Sequence, residues 1–277
     1  MIYKNKFGEI DILNSKYNFN NRTIAISMSG GCDSTMLCYL LAKTIQKEKL
    51  NIIIQPYNGY DIDIPHDSEN VPNIIKYMQN KFPGVIRWPM GVVYKTLSNE
   101  KTVLGTGTGD SIVLEDEIIK QDLPFKGNKI LFESTKDKNF YIHPLRDLIE
   151  EKVIGNHNGI TIVALSQGPP LKAQQDMIKK YNKVPSPQSI QRIKGYYDSE
   201  DLNELPNEKR KWYNHVNEEV PNAPFKFIDK RFIIQCYKDF KMMDVLNEMT
   251  ESCTKPGGKC GTCWWCRERE WAMEEVC

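Results

Sequence analysis

Residues 22–45 read RTIAISMSGGCDSTMLCYLLAKTI, and this stretch decides the fold. Its first part, RTIAISM (22–28), is apolar with little alternation, the pattern of a strand buried on both faces, as in a parallel sheet. SGGCDS (29–34) is turn-rich. Apolar residues then recur at Met36, Leu37, Leu40, Leu41 and Ile45, which is helical spacing. The unit is strand, glycine loop, helix.

Such a loop suits an anion. Two adjacent glycines let backbone N–H groups approach a ligand with no side chain in the way. Ser29 and Ser34 add hydroxyl donors, and the helix that starts here offers unpaired N–H groups and a favourable dipole. The loop lacks the lysine and the spacing of GxxxxGK[ST], and it does not fit GxGxxG.

Working outward, NIIIQPY (51–57) repeats the strand signal. A helix is expected over 71–81 with Pro72 in its first turn, and a third strand over 85–94, broken by Pro89 and Gly91. Residues 111–121 are acidic and periodic and read as a surface helix. GITIVAL (159–165) is a further strand, ending in SQGPP, with a helix expected over 171–182. Strands alternating with helices predict an α/β domain with a parallel sheet flanked by helices. Ten of residues 198–219 are charged, which reads as an insertion, a connector or an exposed helix. From Asp229, a fair N-cap, Phe232, Ile233, Cys236, Tyr237 and Phe240 share one helical face. The expected organisation is an α/β domain carrying the glycine loop over 1–185, a charged connector over 186–223 and a helical C-terminal segment over 224–277.

The chain has 277 residues and a net charge of +1, so it has no bulk electrostatic grip on nucleic acid, and direct nucleic-acid binding is not expected. The longest apolar run, Ile160–Leu165, is too short to span a bilayer, and the N-terminus has no apolar leader, so a cytoplasmic location is expected. Its eight cysteines should then be mainly reduced.

Four of them stand in SCTKPGGKCGTCWWC, as Cys253, Cys260, Cys263 and Cys266. This C-x6-C-x2-C-x2-C spacing suits tetrahedral zinc held by four thiolates, with Pro256, Gly257, Gly258 and Gly261 supplying tight turns. An iron–sulfur cluster, disulfides and free thiols are the alternatives. With every ligand position filled by protein, a zinc ion here would be structural. Trp264, Trp265 and Trp271 are expected around it, and Arg267 and Arg269 either add positive charge beside it or form a solvated run.

SGGCDS resembles the PP-loop motif, SGGxDS, of the N-type ATP pyrophosphatases, whose fold is adenine nucleotide α-hydrolase-like. That resemblance implies ATP cleavage between the α and β phosphates and transfer of AMP to a substrate. It implies that Ser29, Gly30, Gly31, Asp33 and Ser34 hold the pyrophosphate portion, with Asp33 and Ser34 as the catalytic pair and Cys32 a small buried residue at the variable position. An acid in an anion loop needs a reason. Ligation of Mg2+ fits Asp33, and helix capping is the alternative.

The loop together with the cysteine pattern resembles the 7-cyano-7-deazaguanine synthase (QueC) family over residues 22–45 and 224–273, including PFKFIDKRFIIQCYKDF and the Thr-x-Ser-Cys lead-in. The implied reaction converts 7-carboxy-7-deazaguanine and ammonia to the nitrile with ATP, in queuosine-type deazapurine biosynthesis. The implied partners are that small deazapurine carboxylate, ammonia and a second copy of the chain. The middle departs from the family: no P-x-R-N segment follows, PYNGY stands where DYGQR is expected, and 171–223 is an unusual insertion. The alternative is a PP-loop adenylating enzyme acting on another carboxylate or on a tRNA base. A non-enzymatic zinc module is a third reading, against which the intact Ser29, Asp33 and Ser34 argue.

Other candidates are weaker. Asp61, Asp63, His66, Asp67 and Glu69 form a polar cluster, GTGTGDS (105–111) is a possible second ligand loop, and Trp88, Tyr57 or Tyr60 could stack on a base. Ligands of open α/β sheets bind beyond the carboxyl ends of strands, which makes Ser166, Gln167 and Gly168 substrate-side candidates.

Overall fold

A computed structural model describes residues 1–13, 23–61, 70–94, 129–131, 159–162, 164, 166–181, 223–225, 227–253 and 260–277. The expected helix over 111–121, the GTGTGDS loop, the connector over 186–222, and Asp63, His66, Asp67 and Glu69 lie outside the described residues.

The chain opens with a hairpin, β1 (Ile2–Asn5) and β2 (Gly8–Asp11), paired antiparallel. The sequence reading missed it. Tyr3 opposes Ile10, and both are buried, which is the alternation of a half-covered ribbon. Gly8 has φ +148°, and a Cβ there would lie 2.9 Å from Ile228 Cγ2, so the hairpin sits hard against the segment before the fourth helix. Tyr3 donates its hydroxyl to the Leu40 carbonyl at 3.3 Å, and the Asn5 amide donates to the Phe232 carbonyl at 3.1 Å.

The main sheet is built from β3 (Thr23–Ser27), β4 (Ile53–Asp61), β5 (Met90–Tyr94), β6 (Lys129–Leu131) and β7 (Gly159–Ile162). All described pairings in it are parallel, in the order β6-β5-β4-β3-β7. The chain therefore steps outward one strand at a time from β3 to β6 and then returns to the other side of β3. Ile24, Ala25 and Ile26 have no exposure, as a strand covered on both faces requires.

Two prolines interrupt the β4 ladder. Pro56 and Pro89 can donate no backbone hydrogen bond. The buried Gln55 amide fills the gap by donating to the Pro56 and Trp88 carbonyls, both at 3.0 Å. The strand expected over 85–94 accordingly divides into a single bridge at Ile86 and the strand from Met90 onward.

The helices are α1 (Cys32–Glu48), α2 (Val71–Lys81), α3 (Leu171–Tyr181), α4 (Lys230–Asp239) and α5 (Trp264–Val276), with a π-helical turn at Val245–Met249. Pro72 lies in the first turn of α2, and Asp229 caps α4 by accepting from the Arg231 N–H at 2.9 Å. Phe232, Ile233, Cys236 and Tyr237 are buried, and Phe240 is partly buried against the same core. That core also holds α1 and the sheet, so the C-terminal helices share one interior with the N-terminal part. Among the described residues no helix is long and apolar enough to cross a membrane.

Candidate functional site

The SGGCDS loop lies between the end of β3 and the start of α1. The strand order reverses between β3 and β7, so the crevice beyond their carboxyl ends is the switch point where open α/β sheets bind ligands. Ser29–Ser34 follows β3, and Ser166 follows β7. The fold thus brings the two predicted regions together.

Gly30 adopts φ +76°, which favours a residue without Cβ. Gly31 is the N-cap residue of α1, and no side chain caps it. Ser29 Oγ lies 3.2 Å from Ser34 Oγ, and Ser34 donates to the Gly31 carbonyl at 3.3 Å. The Gly31 N–H points to Ser29 Oγ at 3.4 Å and is exposed. These donors converge on a helix N-terminus, where an exposed negative charge gains about 0.3–1 kcal/mol from the dipole alone.

Asp33 does not cap the helix. Lys230 Nζ, on α4, donates to both its carboxylate oxygens at 2.8 and 3.0 Å, and Ser166 Oγ donates to Oδ2 at 3.0 Å. The Cys32 thiol donates to Oδ1 at 3.2 Å. A carboxylate offers about four lone-pair sites, and these donors occupy both of its oxygens. Cys32 is buried, as expected, and burial raises its thiol above the ordinary range. Burial also raises Tyr237, whose hydroxyl donates to the Cys32 carbonyl at 2.9 Å.

Lys230 is the residue the sequence reading missed. Its neighbour Asp229 carried the helix-cap signal, and a lysine in a first helical turn reads as a solvated charge. Burial to 5% side-chain exposure became visible only with the fold. Gln167 has a structural bond, its N–H donating to the Ile228 carbonyl at 2.8 Å, and this brings the β7 end onto the approach to α4. Of the aromatic candidates, Tyr57 is buried and burial pushes its phenol up to about 12, whereas Trp88 is 40% exposed.

The four cysteines do converge. The sulfurs of Cys253, Cys260, Cys263 and Cys266 all lie within 4.8 Å of one another, so the group can hold a metal ion. Cys263 is the N-cap of α5, which places Cys266 one turn further along. Cys260 Sγ accepts from the backbone N–H of Thr262 at 3.4 Å and of Cys263 at 3.3 Å, and from the Thr262 hydroxyl at 3.5 Å. The Thr262 hydroxyl and N–H pull its thiol down to about 5, into the thiolate form a metal needs. Burial pushes Cys266 the other way. Trp264 and Trp271 are buried; Trp271 packs with the Arg231 guanidinium 5.1 Å from its ring centre.

The segment leading into Cys253 touches the loop. Glu251 N–H donates to the Gly30 carbonyl at 3.0 Å, and Ser252 Oγ lies 3.6 Å from Cys32 Sγ. The structure therefore defines a parallel α/β protein with an anion-type loop at the sheet's switch point and a four-cysteine group joined to that loop. No family model matches the chain. No curated protein matches it. The structure is similar to the U34-tRNA thiolase NcsA from Methanococcus maripaludis, solved with its 4Fe-4S cluster, at 12% identity over 95% of this chain and 68% of that chain, with a TM-score of 0.38. A likeness this distant assigns no activity.

Proposed function

We propose that the protein is an ATP-dependent enzyme that adenylates an acceptor and releases pyrophosphate. The observation that supports this reading is the SGGCDS loop at the switch point, with Ser166 from the adjoining strand bonded to Asp33. In the reaction an acceptor oxygen attacks the α-phosphorus, the bond from that phosphorus to the bridging oxygen breaks, and pyrophosphate leaves with the electron pair. Ser29, Ser34 and the Gly30–Gly31 backbone would hold the departing pyrophosphate, a positioning and charge-stabilising role. Mg2+ enters with the phosphates, and Asp33 joins its shell only by exchanging one of the donors it holds.

Two acceptor classes follow. One is a small carboxylate such as 7-carboxy-7-deazaguanine, whose acyl adenylate ammonia converts to an amide with loss of AMP, a second ATP then driving dehydration to the nitrile. The other is a tRNA base. Buried Cys32, Cys38 and Cys236 have thiols raised by burial and are poor sulfur carriers, which favours adenylation without a sulfur relay through them.

The four-cysteine group we assign to structural zinc. Zn–S bonds of about 2.3 Å place tetrahedral thiolates roughly 3.8 Å apart, and sulfurs within 4.8 Å of each other suit that span. A cubane cluster sets its four thiolates wider, because irons and sulfides stand between them.

The test is incubation with ATP and Mg2+ plus either ammonium and 7-carboxy-7-deazaguanine or total tRNA, with nucleotides separated and products weighed. Pyrophosphate is expected with one acceptor, with free AMP in the ammonium arm or AMP retained on the base in the tRNA arm, and Asp33→Asn should remove the activity. ADP as the sole nucleotide product would sink the reading.

A further inference from the structure

We propose that Arg269 is a positioning residue: it orients the peptide unit joining Thr250 to Glu251, and through that unit it sets the nucleotide loop. The proposal rests on the adenylation reading for its consequence, but its geometry stands apart from it.

Arg269 lies on α5, three residues beyond Cys266. Its Nη1 donates to the Thr250 carbonyl at 2.9 Å, and its Nη2 donates to the Leu246 carbonyl. The Thr250 carbonyl is at the C-cap of the π-helical turn and the Leu246 carbonyl lies within it; a cation is favoured where helix-end acceptors lack intrahelical partners. The Thr250 hydroxyl also donates to the Leu246 carbonyl, at 2.7 Å.

The Thr250 carbonyl and the Glu251 N–H are two ends of one planar peptide unit. Arg269 holds its oxygen side; Gly30 holds its nitrogen side, at 3.0 Å. Turning that plane would break both bonds at once. The Gly30 carbonyl in turn shares a plane with the Gly31 N–H, which donates to Ser29 Oγ at 3.4 Å. Two peptide planes in series therefore connect the guanidinium to the Gly31 N–H, which on the adenylation reading would turn from Ser29 Oγ to the pyrophosphate. Packing leaves little slack, because a Cβ at Gly31 would come within 3.3 Å of the Glu251 carbonyl oxygen.

A flat fork that reaches two carbonyls is a property of arginine. Lysine keeps the charge but presents its donors from a single nitrogen, without the planar fork that spans both carbonyls. The same connection ties the loop to the cysteine group, since Cys253 lies two residues beyond Glu251.

The experiment compares wild type with Arg269→Lys and Arg269→Ala in the metal-loaded, full-length protein. Three readouts are taken: metal content, amide hydrogen exchange of 28–34 and 246–253 without nucleotide, and binding of α,β-methylene-ATP by calorimetry. Both variants should keep their metal, exchange faster in the two segments, and bind the analogue roughly tenfold more weakly. In steady-state assays the loss should fall on KM for ATP more than on kcat, and millimolar guanidinium should partly restore Arg269→Ala. If Arg269→Ala fails to fold, Arg269→Lys carries the test. Unchanged exchange in the metal-loaded Lys variant, or unchanged analogue binding beside faster exchange, overturns the proposal. A wild type that splits no ATP overturns the adenylation reading instead, and exchange then decides the anchoring alone.

Discussion

Lys230 and Asp33 stand 197 positions apart in the chain and meet through two hydrogen bonds, 2.8 and 3.0 Å from Nζ to the carboxylate oxygens. Lys230 retains 5% side-chain exposure and Asp33 18%. A lysine this buried persists because its charge is met by a carboxylate, and that carboxylate belongs to the loop at the switch point. The pair fixes the first turn of α1 to the first turn of α4, so the shape of the loop depends on the C-terminal part of the chain.

Removing one member of a buried ion pair leaves the other charged and unsatisfied, at a cost of about 3–5 kcal/mol. Lys230→Met should fall at the lower end, near 3 kcal/mol, because Asp33 keeps some contact with water. The double variant Lys230→Met/Asp33→Asn should be more stable than Lys230→Met alone, since the stranded charge is gone. Urea unfolding of the four proteins measures this. Strict additivity would contradict the pairing.

Gly31 sits at φ −79°, a conformation any residue adopts, so its glycine requirement is one of space. A Cβ would meet Ser29 Oγ at 3.2 Å and the Glu251 carbonyl oxygen at 3.3 Å. The serine can turn; the backbone carbonyl must be pushed back. Gly31→Ala should therefore change stability by no more than about 1 kcal/mol, while weakening ATP-analogue binding severalfold. Calorimetry beside thermal unfolding separates the two effects. Intact binding would show that the segment from Thr250 to Cys253 gives way freely.

Much of this was legible in the chain. The run from Arg22 to Ile45 specifies strand, loop and helix because buried-strand composition, turn residues and 3.6-residue spacing follow one another without conflict. Asp229 announced its helix through a cap, and the four cysteines announced their convergence through short spacings. What was not legible depends on tertiary contact. The β1–β2 hairpin has four-residue strands too short for a firm period. Lys230 and Arg269 look like surface charges until the fold supplies Asp33 and the Thr250 carbonyl. Asp33 likewise carries no local sign that Lys230 and Ser166 will take its oxygens.

Burial also sets a pH limit. It raises the Cys38 and Cys236 thiols from 9.0 to about 12. In the unfolded chain these thiols lose their protons first, so between pH 9 and 12 the folded state binds more protons and stability falls as pH rises. Each fully buried thiol contributes a slope of about 1.4 kcal/mol per pH unit in that window. Cys38→Ala should lower stability at neutral pH yet flatten the alkaline slope by that amount. Urea midpoints between pH 8 and about 11 give the comparison. A slope equal to wild type would mean that Cys38 is reached by solvent.

The metal prediction joins the two halves of the site. Cys253, Cys260, Cys263 and Cys266 bring four sulfurs within 4.8 Å of each other, and four ionised thiolates this close repel unless a cation lies among them. Structural zinc supplies roughly 10–16 kcal/mol of apparent binding free energy in peptide models at neutral pH. Elemental analysis should therefore find a single zinc ion per chain. Cys263→Ser removes a ligand and the thiol at the N-cap of α5, so it should release the metal and loosen the C-terminal helix, seen as faster hydrogen exchange over 264–276. Because Glu251 N–H binds the Gly30 carbonyl only two residues before Cys253, chelation should also weaken ATP-analogue binding, and restoring zinc should recover it. Iron with acid-labile sulfide in an anaerobic preparation would replace zinc with a cluster. Metal-free protein with unaltered exchange and nucleotide binding would remove the metal from the account of the loop altogether.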